Sequence, residues 1–215
     1  MSSLTLYSHP MSRGRIIRWM LEEIGAPYEY TAVDYGPAMK GPAYRAINPM
    51  GKVPALVHGE TVVTECAAIC AYLADAFPAA GLAPAPASPE RGAYYRWLFF
   101  AAGPLEQAAT AKAIGWSVPE KRSGMVGFGS YGETMDALEG AVKDREFIVG
   151  GRFSAADVYV GSHIGWGLQF GSIEHRPAFE AYWTRLAARP AHVKANALDD
   201  ALIPAHPVPG MPPQG

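Results

Sequence analysis

The chain has 215 residues, 49% of them hydrophobic and 18% charged, with a net charge of −2. That length permits two small domains with their own cores, and the near-neutral balance leaves no electrostatic footprint for a nucleic-acid partner. No apolar run reaches about 18 residues, so no membrane span is expected. The opening MSSLTLYSHP lacks the apolar centre of a signal peptide. The only cysteines, Cys66 and Cys70, make no disulfide framework and no C-x-x-C motif, which fits a reducing cytoplasm.

Taken in chain order, Leu4 to Tyr7 reads as a first strand ending at Ser8-His9-Pro10. Ile16, Ile17, Met20, Leu21 and Ile24 then fall on one helical face. Ser12 stands where the helix N-cap belongs, Gly25 stops the helix, and Pro27 lies just beyond. Tyr28 to Val33 reads as a second strand, and this β-α-β order implies a parallel pair. Residues 35–47, rich in Gly and Pro, read as loop. Turn chemistry at Asn48-Pro49 and Met50-Gly51 precedes a short apolar run, Val53 to Val57. Pro54 has no N–H for a ladder, so its place at the start of a strand points to a fixed geometry such as a cis bond. His58-Gly59-Glu60 connects tightly to the β-branched run Thr61 to Thr64, giving a hairpin, and a helix follows Glu65 with Ile69, Leu73 and Phe77 inward.

Residues 79–89 are Pro/Ala-rich and read as a linker. Helical patterns dominate afterwards: Glu90 to about Ile114, Tyr131 to Lys143, Ala155 to about Gln169, and Pro177 to Ala188, before Arg189-Pro190-Ala191 turns the chain. Ser154 and Asp157 have capping-box spacing, with Phe153 and Val158 placed as a hydrophobic staple, so these residues are assigned to folding. The helix they open is apolar on most faces and is expected to be the buried one. The expected plan is a domain over 1–78, the linker, an all-helical domain over 90–203 and a Pro-rich tail over 204–215, left without a conformation.

Several chemical signals are weak. Gly127 to Gly132 matches G-x-G-x-x-G, but no strand precedes it. The six histidines lack zinc-ligand spacing, and G-x-S-x-G is absent. His163, on an apolar helix, reads as a hydrogen-bonded core residue.

The stretch N-P-M-G-K-V-P-A-L, the following strand pair, and T-E-C-A-A-I-C-A-Y-L resemble the glutathione-binding half of the glutathione transferase family. F-S-A-A-D-V and R-P-A resemble elements of the family's second domain, and the resemblance spans about residues 4–200. It implies an α+β thioredoxin-like N-terminal domain (βαβ-ββα) followed by an all-α domain. It makes Pro54 the cis proline and gives the Val53 backbone to the cysteinyl part of glutathione. Glu65 and Cys66 take the γ-glutamyl end, and Lys40 and Lys52 are candidates for the glycyl carboxylate. The family usually has serine where this chain has Cys66, and a thiol donates weakly.

S-H-P-M-S resembles the strand-end segment of serine-type members, whose last serine donates to the glutathione sulfur. This makes Ser12 the catalytic candidate. Tyr7, by analogy with tyrosine-type members, and a plain N-cap role for Ser12 are the rival readings. A free thiol with pKa ~8.5 is only ~3% thiolate at neutral pH, and lowering it by ~2 units takes ~2.7 kcal/mol. A hydrogen bond to a charged group supplies ~1.5–3 kcal/mol and a helix terminus ~0.3–2, so one hydroxyl at one helix start suffices. For the second substrate, His9 and Met11 lie beside Ser12, and Tyr94, Trp97, Phe100 and Trp116 are candidate apolar walls. The resemblance implies conjugation of glutathione, as co-substrate, to small hydrophobic electrophiles by a homodimer, with no metal, nucleic acid or membrane partner. A non-catalytic glutathione-binding or protein-interaction module, and glutathione-dependent thiol exchange or peroxide reduction, stay open as alternatives.

Overall fold

The computed structural model describes residues 3–209. They divide into two compact units, one comprising residues up to 80 together with those from 190 onward, the other residues 81–189.

The first unit is built on a four-stranded mixed sheet in the order β2-β1-β3-β4. Strand β1 (Leu4–Ser8) pairs in parallel with β2 (Glu29–Ala32) and antiparallel with β3 (Ala55–His58), which forms the hairpin with β4 (Thr61–Thr64). In β1, Leu4, Leu6 and Ser8 are buried and alternate with half-buried Thr5 and Tyr7. Helix α1 (Gly14–Ile24) buries Ile16, Ile17, Trp19, Met20 and Leu21, and ends where Gly25 takes the left-handed conformation that glycine adopts without penalty. The span read as loop over 35–47 contains two helical turns, α2 (Pro37–Lys40) and α3 (Pro42–Arg45). Each opens on a proline, whose fixed φ suits the first helical position, so composition that suggested a loop marks two starts instead. The Val53–Pro54 peptide is cis. Helix α4 (Cys66–Ala76) turns Ile69, Cys70 and Leu73 inward.

The second unit is helical. Helix α5 (Glu90–Phe100) runs through a π turn over Ala101–Leu105, containing Pro104, into α6 (Glu106–Ala113), where the sequence suggested one uninterrupted helix. Proline lacks the N–H that an α-helical turn needs, and the wider turn accommodates it. Helices α7 (Tyr131–Val142), α8 (Ala155–Phe170) and α9 (Pro177–Ala187) follow. α8 is buried along most of its length, and its glycines let α9 approach: a Cβ at Gly161 would lie 2.4 Å from Leu186 Cδ1, and one at Gly165 would lie 2.4 Å from Trp183. The capping box is formed. Asp157 Oδ2 accepts the Ser154 N–H at 2.8 Å and the Ser154 hydroxyl at 2.9 Å. Oδ1 accepts the Ile148 N–H at 2.8 Å and the Tyr182 hydroxyl at 2.7 Å. The G-x-G-x-x-G segment is a turn leading to Ser130, which caps α7 by accepting the Glu133 N–H.

Two expected boundaries differ. Residues 81–89 are packed rather than a free linker: the Leu82 carbonyl accepts from Ala155 N–H at 2.8 Å and the Pro84 carbonyl from Arg91 at 2.7 Å. The last helix, α10 (Pro190–Asp200), belongs with the first unit instead of the helical one. It packs on α1 through polar contacts. Arg18 Nε lies 3.0 Å from Asp199, both being nearly inaccessible; Arg15 reaches Asn196 at 2.8 Å and Asp200 at 2.7 Å; Lys194 pairs with Glu22 at 2.6 Å. A charged residue on a buried face hides the apolar period by which a helix is recognised. Residues 203–205 form a short 3₁₀ turn, and the rest of the expected tail beyond 209 lies outside the described residues. No helix among the described residues is long and apolar enough to cross a membrane.

Candidate active site

The loop from Ser8 to Gly14 joins the centre of the sheet to the start of α1, and several of its polar groups are held by one another and by Arg15 and Tyr35. The Ser12 hydroxyl donates to the His9 carbonyl at 2.7 Å, and its oxygen accepts the Gly14 N–H at 3.0 Å. Ser12 therefore sits one residue ahead of the position expected for the cap: Arg13 is the N-cap residue, and Ser12 satisfies the first N–H of the helix. The Pro10 carbonyl accepts from Arg15, and the Met11 carbonyl from the Tyr35 hydroxyl, each at 3.1 Å. The Met11 N–H donates to His9 Nδ1 at 3.1 Å, which requires that nitrogen to be unprotonated. Burial pushes the His9 imidazole below its ordinary pKa, against the raising influence of Asp34, so the ring is neutral near pH 7. Burial likewise pushes the Tyr35 phenol up, which keeps it a donor.

The start of α4 adjoins this loop. Cys66, the first residue of α4, is buried, with Sγ 3.6 Å from the Arg13 carbonyl. Glu65 is exposed and holds φ 66° and ψ 120°, a conformation that costs a non-glycine residue roughly 1–3 kcal/mol and persists where the surroundings over-determine it. The starts of two helices thus lie beside one another, and the positive ends of their dipoles favour anions. Lys40 is exposed and its ammonium donates to the Gly51 carbonyl at 2.6 Å, tying α2 to the loop before the cis peptide. The Lys52 carbonyl accepts from Tyr44 at 2.8 Å and Asn48 at 2.7 Å, while its side chain is exposed.

The N-terminal portion, residues 2–75, matches the family model described as "Glutathione S-transferase, N-terminal domain", and residues 120–190 match "Glutathione S-transferase, C-terminal domain". GstA, a glutathione S-transferase of Escherichia coli O157:H7, is 32% identical over 180 residues, covering 79% of this chain and 86% of that one. The chain belongs to the glutathione S-transferase family. Glutathione S-transferase 3 of Zea mays is 28% identical over 92% of this chain and 95% of its own. Among solved structures, a glutathione transferase of Methylococcus capsulatus is similar with a TM-score of 0.76 and 28% identity, covering 92% of this chain and 99% of that one. A sphingomonad glutathione S-transferase complexed with glutathione gives 0.73 and 29%, over 91% and 98%. The thioredoxin-like sheet followed by a helical region is the fold of these transferases, and this chain is a glutathione transferase enzyme.

Within the transferase, the residues proposed from sequence separate into groups. Ser12 and Cys66 come together through Arg13; Lys40 meets the 50–52 loop; Val53 and Pro54 precede β3. Tyr7 points to the opposite face of β1 from Ser8, half-buried 6.3 Å from the Tyr44 ring. His9 is fully buried at 0% exposure, with its ring against Tyr35 at 4.4 Å, so it is a support of the loop and not a pocket wall. Tyr94, also at 0%, is a core residue of the helical unit for the same reason. Trp97 is buried, Phe100 and Met11 are half-buried, and Trp116 is 53% exposed. His163 is buried with Nδ1 3.5 Å from Glu106 and its ring edge-on to Tyr159, as its place on an apolar helix suggests.

Sequence reasoning missed Ser8, Tyr35 and the Arg18–Asp199 pair. Gly14 carried a signal for the first of these: a Cβ there would lie 1.6 Å from Ser8 Oγ, so the glycine is room made for a hydroxyl. Asp199 and Arg18 lie far apart in the chain, and nothing local announces their pairing.

Proposed function

We propose that this transferase conjugates the glutathione thiolate to small hydrophobic electrophiles, and that Ser12 lowers the thiol pKa by donating its hydroxyl proton to the sulfur. The observation that carries the reading is the double engagement of Ser12. Its oxygen receives the Gly14 N–H at the start of α1, which polarises the O–H outward, and its proton rests on a carbonyl from which it can turn. Thiolate formation then needs no general base. The thiol proton leaves to solvent, the hydroxyl and the helix start hold the resulting charge, and glutathione itself is the nucleophile.

In this reading Glu65 pairs with the γ-glutamyl ammonium, and the N–H of Cys66 at the start of α4 faces the γ-glutamyl carboxylate. The backbone of Val53 pairs with the cysteinyl unit, and Lys52 with the glycyl carboxylate. Lys40 supports the site by bracing the loop through Gly51. Met11, in the loop that carries Ser12, remains a candidate neighbour of the second substrate, and the acting form is a cytoplasmic homodimer by family likeness. Thiol exchange is disfavoured by a hydroxyl where that chemistry needs a thiol. The reading is tested by titrating bound glutathione through its ultraviolet thiolate absorbance. An apparent pKa well below ~8.5 is expected; saturable binding with an unshifted pKa would instead assign a carrier role.

A further inference from the structure

We propose that Ser8 is a positioning residue for Ser12: a stand-by donor that takes over the His9 carbonyl when the Ser12 hydroxyl turns to the glutathione sulfur. This rests on the reading of Ser12 given above.

A serine hydroxyl has one proton. In the structure that proton is on the His9 carbonyl at 2.7 Å. His9 is completely buried. If Ser12 turned its proton to a thiolate with nothing in exchange, a buried carbonyl would lose its close donor, which gives back part of what the new bond gains. The loop cannot relieve this by following Ser12, because its backbone is tied at Pro10 by Arg15, at the Met11 N–H by His9 and at the Met11 carbonyl by Tyr35. Only the hydroxyl proton is free to swing.

Ser8 supplies the exchange. Its Oγ lies 3.4 Å from the same His9 carbonyl oxygen and 3.5 Å from Ser12 Oγ. Ser8 is itself at 0% exposure, at the inward end of β1, with its carbonyl fixed by the Val33 N–H at 2.8 Å. The space for its side chain exists because residue 14 has no Cβ; one there would lie 1.6 Å from Ser8 Oγ. The two hydroxyls therefore share one acceptor, with Ser12 in short contact and Ser8 in long. When Ser12 rotates to the sulfur, the Ser8 hydroxyl, already directed at the carbonyl from 3.4 Å, can close on it as its remaining donor, and the Gly14 N–H still donates to Ser12. No proton changes owner, and the His9 carbonyl keeps a donor.

The test compares wild type, Ser8→Ala, Ser12→Ala and the double variant. Two readouts are the pKa of bound glutathione and the affinity for S-methylglutathione, which has no thiol to ionise. Ser8→Ala is expected to raise the bound-thiol pKa by about half a unit, about threefold less thiolate below the pKa, and to leave S-methylglutathione affinity unchanged. It is expected to add nothing in the Ser12→Ala background, since a relay acts only through Ser12. An unshifted pKa in Ser8→Ala, an equal loss of S-methylglutathione affinity, or additive effects in the double variant would each overturn the proposal. If Ser12→Ala leaves the pKa unmoved, or glutathione does not bind, the reading of Ser12 fails and this one falls with it. Should Ser8→Ala not fold, Ser8→Cys keeps the volume with a weaker donor, and the same shift is expected.

Discussion

Replacing Ser12 by alanine isolates the hydroxyl on which the proposed mechanism depends. Its close protein partners are few: the His9 carbonyl at 2.7 Å and the Gly14 N–H at 3.0 Å, with Ser8 Oγ more distant at 3.5 Å. A bond from this hydroxyl to a thiolate contributes about 1.5–3 kcal/mol, while leaving the His9 carbonyl gives up about 0.5–1.5 kcal/mol. The net, about 1–1.5 kcal/mol, raises the pKa of the bound thiol by about one unit when the hydroxyl is removed. Below both pKa values the rate follows the thiolate fraction, so kcat/KM for an activated aryl halide at pH about 6 should fall about tenfold. Well above both values the two proteins should converge. The assay is a paired pH series of conjugation rate and bound-thiolate absorbance. A bound-thiol pKa identical in the two proteins, or a rate loss of the same size at every pH, would refute the reasoning, because neither follows from a donor lost at the sulfur.

Gly14→Ala places a Cβ 1.6 Å from Ser8 Oγ, so it should destabilise the protein by about 1–3 kcal/mol in chemical denaturation and raise the bound-thiol pKa through the displaced loop. Asp157→Ala strands the Ile148 and Ser154 N–H groups and the Ser154 and Tyr182 hydroxyls; a loss of about 3–5 kcal/mol is expected, and an unchanged denaturation midpoint would contradict it. Asp199 is pushed up to about 6, chiefly by burial and against the pull of Arg18. Its folded pKa exceeds its unfolded value of roughly 4, so its contribution to stability is present below that value and lost as pH rises to about 6. Asp199→Asn should therefore flatten the stability curve across that window, measured by denaturation at several pH values. Cys66→Ser supplies a stronger donor at the start of α4, and isothermal titration should show glutathione binding tightened by about 1 kcal/mol.

The parts of the fold legible in the sequence are those whose cause is local. Ile16 to Ile24 carry a helical period, Gly25 a stop, and Ser154 with Asp157 a cap, so α1 and α8 could be placed from neighbouring residues alone. Pro54 announced the special peptide because proline has few other reasons to open a strand. What stayed hidden depends on partners distant in the chain. α10 has Ala195 and Asp199 as its buried residues, and Asp199 reads as a surface residue until Arg18 is beside it. The candidate site divides in the same way. Ser12, Glu65 and Cys66 stand in recognisable motifs, whereas Ser8 looked like an ordinary strand end and His9 like a pocket residue. Their roles come from where the sheet, Tyr35 and Gly14 meet.

The loop's construction bears on why a serine suits this position. A thiolate stabiliser must offer a proton without surrendering it, and an aliphatic hydroxyl does so across the whole physiological range. Its weakness is orientation, since a lone hydroxyl rotates to whichever acceptor is nearest. Here the oxygen is pinned by the Gly14 N–H, the nearest competing acceptor is the His9 carbonyl, and the backbone between them is tied by Arg15, His9 and Tyr35. Under the proposed mechanism the side chain is left a single swing, from the neutral His9 carbonyl to the charged sulfur. A charged acceptor wins that competition by about 1–1.5 kcal/mol. In the proposed mechanism that margin corresponds to about one pKa unit of thiolate stabilisation, with the hydroxyl left a satisfied resting place. A stronger resting bond would cancel the gain, and a weaker one would leave Ser12 unoriented before the sulfur arrives.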